Sequence, residues 1–205
     1  MNDLLGLAPP PVLERIQADT EAMGFLMGSG LQVGALLRTL AAAKPGASVL
    51  ELGTGTGLAT AWLLAGMDAA ARMVSVENDA TVAAVAQRHL ADDRRVHFVI
   101  ADAGAFLVTA APQSVDLIFA DTWAGKYTHL EETLRLLRLG GLYVIDDMLP
   151  QPNWPEGHAV KVAKLIDELA QRTDLVLTKL SWASGVIVAT KIRSSSVSEE
   201  IEATL

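Results

Sequence analysis

Apolar residues recur along this chain with two periods, and the period changes near Ala47. Before that point Val12, Leu13, Ile16 and Met23, and then Leu36, Leu37 and Leu40, repeat at roughly helical spacing. Gly28, Ser29 and Gly30 separate the two runs, so the pattern predicts two N-terminal helices. From Ala47 onward, short β-rich runs at 48–52, 73–77, 96–100, 115–120 and 142–145 alternate with helix-period segments such as 56–69, 80–90 and 129–137. Strand and helix in alternation, joined by right-handed crossovers, build a mostly parallel sheet covered on both faces. Strands in such a sheet are apolar throughout, as Val115, Leu117, Ile118 and Phe119 are. A helix near 159–172 precedes two further strands at 175–180 and 185–190, and the short link between them requires an antiparallel hairpin.

The expected fold class is therefore α/β, with a Rossmann-like sheet behind a helical preface over residues 1–45. One domain over 1–192 is expected. Residues 193–205, rich in Ser and Glu and without a core pattern, are expected to form a disordered tail.

Composition narrows the function classes. With 51% hydrophobic and 20% charged residues in 205, the chain can bury a full core without staples. It has no cysteine, which excludes disulfides, thiolate metal ligands and a cysteine nucleophile, and suits a reducing compartment such as the cytoplasm. Pro9, Pro10 and Pro11 interrupt the stretch where an export signal would run, and apolar stretches are broken well before the roughly 18 residues of a membrane span. A net charge of -8 disfavours nucleic acid as a partner and favours a small molecule. Homodimerisation is the default expectation for assembly.

The chemistry concentrates at strand ends, where open α/β sheets bind ligands. The first strand runs into Glu51-Leu52-Gly53-Thr54-Gly55-Thr56-Gly57, whose glycines permit a sharp turn and close backbone approach to a ligand just before a helix. A dinucleotide fingerprint would place its third glycine at 58, where Leu58 stands, which weakens a nicotinamide reading. Glu77 ends the second strand, where a carboxylate can accept from both hydroxyls of a ribose. Asp102 and Ala103 follow the third strand, where an adenine would meet a side-chain acceptor and a backbone N–H. Asp102 equally suits a plain helix cap.

Through Val49 to Gly57, Val76-Glu77 and Ala101-Asp102-Ala103, the sequence resembles the S-adenosylmethionine-dependent class I methyltransferases over residues 31–191. The resemblance implies a seven-stranded sheet with its last strand antiparallel. It implies that the loop with Glu51, Gly53, Thr54, Gly55 and Gly57 cradles the methionine end, that Glu77 holds the ribose, and that Asp102 and Ala103 lie near the adenine.

A narrower resemblance lies in Asp116 to Trp123 with Tyr127, followed by Ile145-Asp146-Asp147, which look like small O-methyltransferases of the catechol and caffeoyl-CoA type. It implies that Asp121, Asp146 and Asp147 hold Mg²⁺ or another divalent cation, that Trp123 walls the cofactor beside Asp121, and that a hydroxyl is methylated. Such a cation would orient an acceptor and lower its hydroxyl pKa. Carboxylates at strand ends also serve as caps or ion-pair partners, and that reading stands beside the metal one. The chain departs from the family at Ala124, where the family places a catalytic Lys; Lys126 reaches the site only if the loop through Gly125 bends differently. Lys126 and Asp121 are the catalytic candidates.

Trp154 and His158, in the proline-rich loop from Met148, are candidate acceptor contacts, and Met27, Gly28 and Gln32 are placed to close over the cofactor. Two other functions compete: a nonenzymatic S-adenosylmethionine-binding protein, which would keep the loop and Glu77, and a nicotinamide-dependent oxidoreductase.

Overall fold

The computed structural model describes residues 2–193. In chain order its elements are α1 (Leu13–Ala22), α2 (Leu31–Ala42), β1 (Ser48–Leu52), α3 (Leu58–Gly66), β2 (Arg72–Glu77), α4 (Ala80–Leu90) and β3 (Val96–Ile100). They continue with α5 (Ala103–Thr109), β4 (Val115–Ala120), α6 (Leu130–Leu136), β5 (Leu137–Ile145), α7 (His158–Ala170), β6 (Leu175–Leu180) and β7 (Val186–Lys191). The tail expected from residue 193 lies, Arg193 apart, outside the described residues.

One seven-stranded sheet runs in the order β3-β2-β1-β4-β5-β7-β6. The first five pair in parallel, whereas β7 is antiparallel to both β5 and β6. This is the Rossmann-like arrangement expected, hairpin included. Chain order reverses at β1, which pairs β2 on one side and β4 on the other. Connections leave the carboxyl ends of β1 and β4 in opposite directions there, and a crevice opens between them.

Successive strand residues point to opposite faces, and both faces are buried. Val49, Leu117, Phe119 and Val144 pack under α1 to α4 with Ile16, Leu37, Trp62 and Leu63. Leu50, Ile118, Tyr143 and Ile145 pack under α5 to α7 with Leu107, Leu134, Leu165 and Leu169. Two apolar layers thus clamp the sheet, and only its strand ends remain for polar chemistry.

Element bounds differ from sequence expectation for local reasons. Helix α3 starts at Leu58 rather than 56, because Gly57 holds a left-handed φ of 93° at its N-cap. Helix α6 starts at Leu130, because His129 is itself left-handed at φ 58°. Strand β5 begins five residues earlier than its apolar core suggests, and its pairing jumps from Val115–Leu137 to Leu117–Leu142 across an irregularity. Helix α5 has no counterpart among the segments singled out in the sequence; Asp102 nucleates it by accepting from the backbone N–H of Ala105 at 2.8 Å. Among the described residues no helix is long and apolar enough to cross a membrane.

Candidate active site

The glycine loop turns back against the sheet. Gly53 and Thr54 donate their N–H groups to the Val76 carbonyl at 3.0 and 3.2 Å, and Gly55 donates to Glu77 Oε2 at 2.9 Å. Gly53 has φ 94°, and a Cβ there would stand 2.7 Å from the Asp121 carbonyl oxygen, so only glycine lets the ends of β1 and β4 come this close. Glu77 takes two further N–H bonds on Oε1, from Asn78 at 2.9 Å and Asp79 at 3.1 Å. It therefore braces the loop as well as lining the cavity above it.

That cavity, about 350 Å³, is walled by the loop, Glu77, Asp121, Trp123 and, further out, Trp154 and His158. A neighbouring cavity of about 320 Å³ shares Gly53, Glu77 and Trp123 and adds Asp102, Ala103 and His129. Together they join the glycine-loop backbone to the strand-end carboxylate of Glu77. Asp102 spends one carboxylate oxygen on the α5 cap, so both roles considered for it in the sequence fall on the same side chain.

Glu51 is not on the wall. It is fully buried beneath the loop, where its Oε2 accepts from Thr60 Oγ1 and Ser75 Oγ, each at 2.5 Å, while Oε1 has no partner among the described residues. Burial pushes its pKa up to about 8, outweighing the two hydroxyl bonds that pull it down. Thr54 joins the same network through Ser75 at 2.5 Å. Glu51, expected among the cofactor-binding residues, thus lies in the layer under α3, supporting the loop from below.

A third cavity, about 490 Å³, lies on the other side of Asp121 and Asp147, lined by Ser29, Asp146, Gln151 and Ser184 with Leu26, Met27 and Pro152. Met27 and Gly28 border both this cavity and the first, while Gln32 borders only this one. Ser29 donates to Asp121 Oδ2 at 3.0 Å, and Ser184 to Asp146 Oδ1. Neither serine was a sequence candidate. One lies between two glycines and the other in a hairpin turn, and no spacing links either to Asp121 or Asp146.

Lys126 reaches Asp121 because of Gly125. With φ 90° at Gly125 the loop folds back, and the Lys126 ammonium, on a residue only 4% exposed, comes within 4.0 Å of Asp121 Oδ1 and donates to the Asp146 carbonyl oxygen at 3.1 Å. The carboxyl of Asp121 is raised well above the usual range by burial first and by Asp146 next, against the pull of Lys126. Asp146 is raised too, by burial, with the Ser184 hydroxyl opposing.

The three carboxylates do not fit a divalent-cation cage as arranged. Among the described residues no group of three or more His, Asp or Glu side chains is gathered to hold an ion. Asp121 Oδ2 and Asp146 Oδ1 already receive hydroxyl hydrogens, and an ammonium stands beside Asp121 Oδ1. A hard cation here would have to draw on Asp146 Oδ2 and the Asp147 carboxylate, with water completing its shell, and share Asp121 Oδ1 with the ammonium. This arrangement does not show the metal expected on Asp121, Asp146 and Asp147.

Aromatic groups close the outer wall. Tyr127 Oη and His158 Nε2 are 3.1 Å apart, and the Trp154 ring lies 4.7 Å from that of His158, tilted by 49°. Burial, then the Lys126 charge, lowers the His158 pKa, so its imidazole is neutral near pH 7. Trp154 Nε1 and His158 Nδ1 are buried without partners among the described residues.

A glycine loop after β1, a strand-end carboxylate on β2 and the β5-β7-β6 hairpin define a class I methyltransferase fold. Residues 50–148 match a family described as a methyltransferase domain. A protein of Mycobacterium ulcerans named "Putative O-methyltransferase" is 27% identical over 169 residues, covering 78% of this chain and 75% of that one. A Mycobacterium marinum protein of the same name is 32% identical over 118 residues, and there the match spans only 53% of the relative's length. Among solved structures, the O-methyltransferase TomG of Streptomyces achromogenes with S-adenosylmethionine bound superposes with TM-score 0.80 at 22% identity, covering 92% of this chain and 93% of TomG. A Bacillus cereus O-methyltransferase with S-adenosylhomocysteine bound gives 0.79 at 22%, covering 92% and 94%. The methyltransferase-domain match and the similarity to named O-methyltransferases together support an S-adenosylmethionine-dependent methyltransferase.

Proposed function

We propose that this protein transfers the methyl group of S-adenosylmethionine to a hydroxyl oxygen of a small organic acceptor. The observation that carries the reading is the place of Asp121: it forms part of the wall of both the loop-side cavity and the third cavity, with the Lys126 ammonium beside it. A cofactor in the first and an acceptor in the third would meet at that carboxylate.

The bound cofactor would supply an electrophilic methyl on a sulfonium, which departs as a neutral thioether. The chain's residues do the rest. The loop and Glu77 would fix the donor, and Asp121, on the wall of the third cavity, would face the acceptor hydroxyl with the Lys126 ammonium beside it on the side of the first cavity. When the acceptor oxygen takes the methyl, its hydroxyl proton would pass to Asp121, whose proton affinity burial has raised. Lys126 stabilises negative charge developing on that oxygen. Apolar walls and position contribute further by exclusion of water and alignment of the in-line displacement.

The test is calorimetric titration with S-adenosylhomocysteine, followed by turnover over a panel of phenols, catechols and aliphatic alcohols. Micromolar binding with methyl ether formed supports the reading. Binding with no turnover on any hydroxyl acceptor would favour a nonenzymatic binder, and NAD binding instead would overturn the cofactor assignment.

A further inference from the structure

Three carboxylates, Asp121 at the end of β4 and Asp146 and Asp147 at the end of β5, line the third cavity, and Asp121 and Asp147 also border the first. Such a cluster must be neutralised by protons or by a cation. Lys126 is the cation the chain itself brings. We infer that the Lys126 ammonium is a tethered replacement for a divalent metal ion, so that this site works without metal. The inference deepens the proposed methyl transfer and rests on it for its catalytic part.

The loop holds Lys126 in one place. Lys126, Tyr127 and Thr128 all direct their N–H groups at the Trp123 carbonyl, at 3.2, 2.9 and 3.2 Å, and Gly125 donates to the Thr128 carbonyl at 2.7 Å. The Gly125 carbonyl in turn accepts from the buried Tyr143 hydroxyl. A Cβ on Gly125 would sit 2.6 Å from Leu52 Cδ1, so the turn is wedged against the core. A lysine carried on so constrained a turn, with its amine on the Asp146 carbonyl and beside Asp121, has little freedom to swing out.

The carboxylates are dressed for an ammonium. Ser29 donates to Asp121 Oδ2, while Ser184 and the Asp147 N–H both donate to Asp146 Oδ1. These donors hold one oxygen of Asp121 and one of Asp146 and leave Asp121 Oδ1 to the ammonium. A metal bound at about 2.1 Å from Asp121 Oδ1 would stand no more than about 6 Å from the amine, given the 4.0 Å ion pair. Two like charges that close in a buried site repel strongly.

The experiment is Mn²⁺ titration, by calorimetry and by electron paramagnetic resonance, of chelator-treated wild type, Lys126→Met, Lys126→Arg and the double variant Lys126→Met/Asp121→Asn. Thermal melts first establish that each variant folds, and Lys126→Arg keeps the charge should the Met variant fail to fold. Wild type and Lys126→Arg are expected to be silent to Mn²⁺. Lys126→Met, with the ammonium gone, should gain a Mn²⁺ site that the added Asp121→Asn removes. Wild-type turnover should be unchanged by chelator, and Lys126→Met should lose about a hundredfold or more in kcat, the scale of losing one charge-stabilising donor. Its affinity for S-adenosylhomocysteine should stay near that of wild type. One equivalent of Mn²⁺ on wild type, lost in Asp146→Asn, overturns the inference, as does a folded Lys126→Met that gains no site or turnover abolished by chelator. If wild type neither binds S-adenosylhomocysteine nor methylates, the proposed function fails, while the Mn²⁺ titrations still decide the question of the tethered cation.

Discussion

The amine of Lys126 lies 4.0 Å from Oδ1 of Asp121, although the two residues leave the end of β4 on a loop whose direct path would carry the lysine away. The left-handed turn at Gly125 produces the pairing, and the turn exists because a hydrogen at that α-carbon is all the Leu52 side chain leaves room for. Backbone conformation here sets site chemistry.

Gly125→Ala should therefore act on stability and activity together. A non-glycine residue at φ 90° is strained, and the new methyl meets Leu52 at 2.6 Å, so a loss of about 1–3 kcal/mol is expected. Urea denaturation measures it. Turnover should fall beyond what the folded fraction explains, because Lys126 moves; full activity of the folded variant would detach the lysine from the reaction.

Glu77→Ala should weaken S-adenosylhomocysteine binding by about 1.5–3 kcal/mol, the range for hydrogen bonds to a charged acceptor. Two effects combine, since the carboxylate that would hold the ribose also pins Gly55 at 2.9 Å. Calorimetry on Glu77→Ala and Glu77→Gln separates them, and unchanged affinity in both would remove Glu77 from the binding site.

Glu51 should make stability fall with rising pH. Its folded pKa of about 8 lies above its unfolded value of 4.5, so between those values the folded state holds a proton that the unfolded state has released. Its contribution is fully present below pH 4.5 and is lost as pH climbs to 8, with a slope of up to about 1.4 kcal/mol per pH unit. Glu51→Gln cannot ionise, and its denaturation free energies at pH 5, 6.5 and 8 should lack that part of the slope. Parallel pH profiles for wild type and variant would show that Glu51 ionises normally.

Trp154→Ala should raise the KM for an aromatic acceptor by about two- to tenfold, the equivalent of a lost aromatic contact worth 0.5–1.5 kcal/mol. Steady-state kinetics with the acceptor varied would show it. An unchanged KM would leave Trp154 as packing for His158, whose ring is 4.7 Å away.

Much of the architecture was legible in the residue order. Strand and helix alternate because side-chain period is a local property, and α4, called for by the spacing at 80–90, occupies the range Ala80–Leu90. The short link after β6 allowed only an antiparallel partner, as β7 is. The glycines at 53, 55 and 57 marked the loop, and their positive φ values are a local requirement as well. Helix α5 was missed because its seven residues carry too few apolar repeats to show a period.

What residue order alone determined is thus the sheet with its covering helices, the glycine loop and the strand-end carboxylates, all features whose physical cause lies within a few residues of themselves. The tertiary structure decided which polar groups meet. Ser29 reaches Asp121 across 92 positions and Ser184 reaches Asp146 across 38, and no periodicity connects such pairs. It also decided that Glu51 turns under α3 to become a buried acid, and that Lys126 comes to stand beside Asp121. Burial and charge proximity are properties of the packed chain, so the chemistry of the site is fixed only when the layers close.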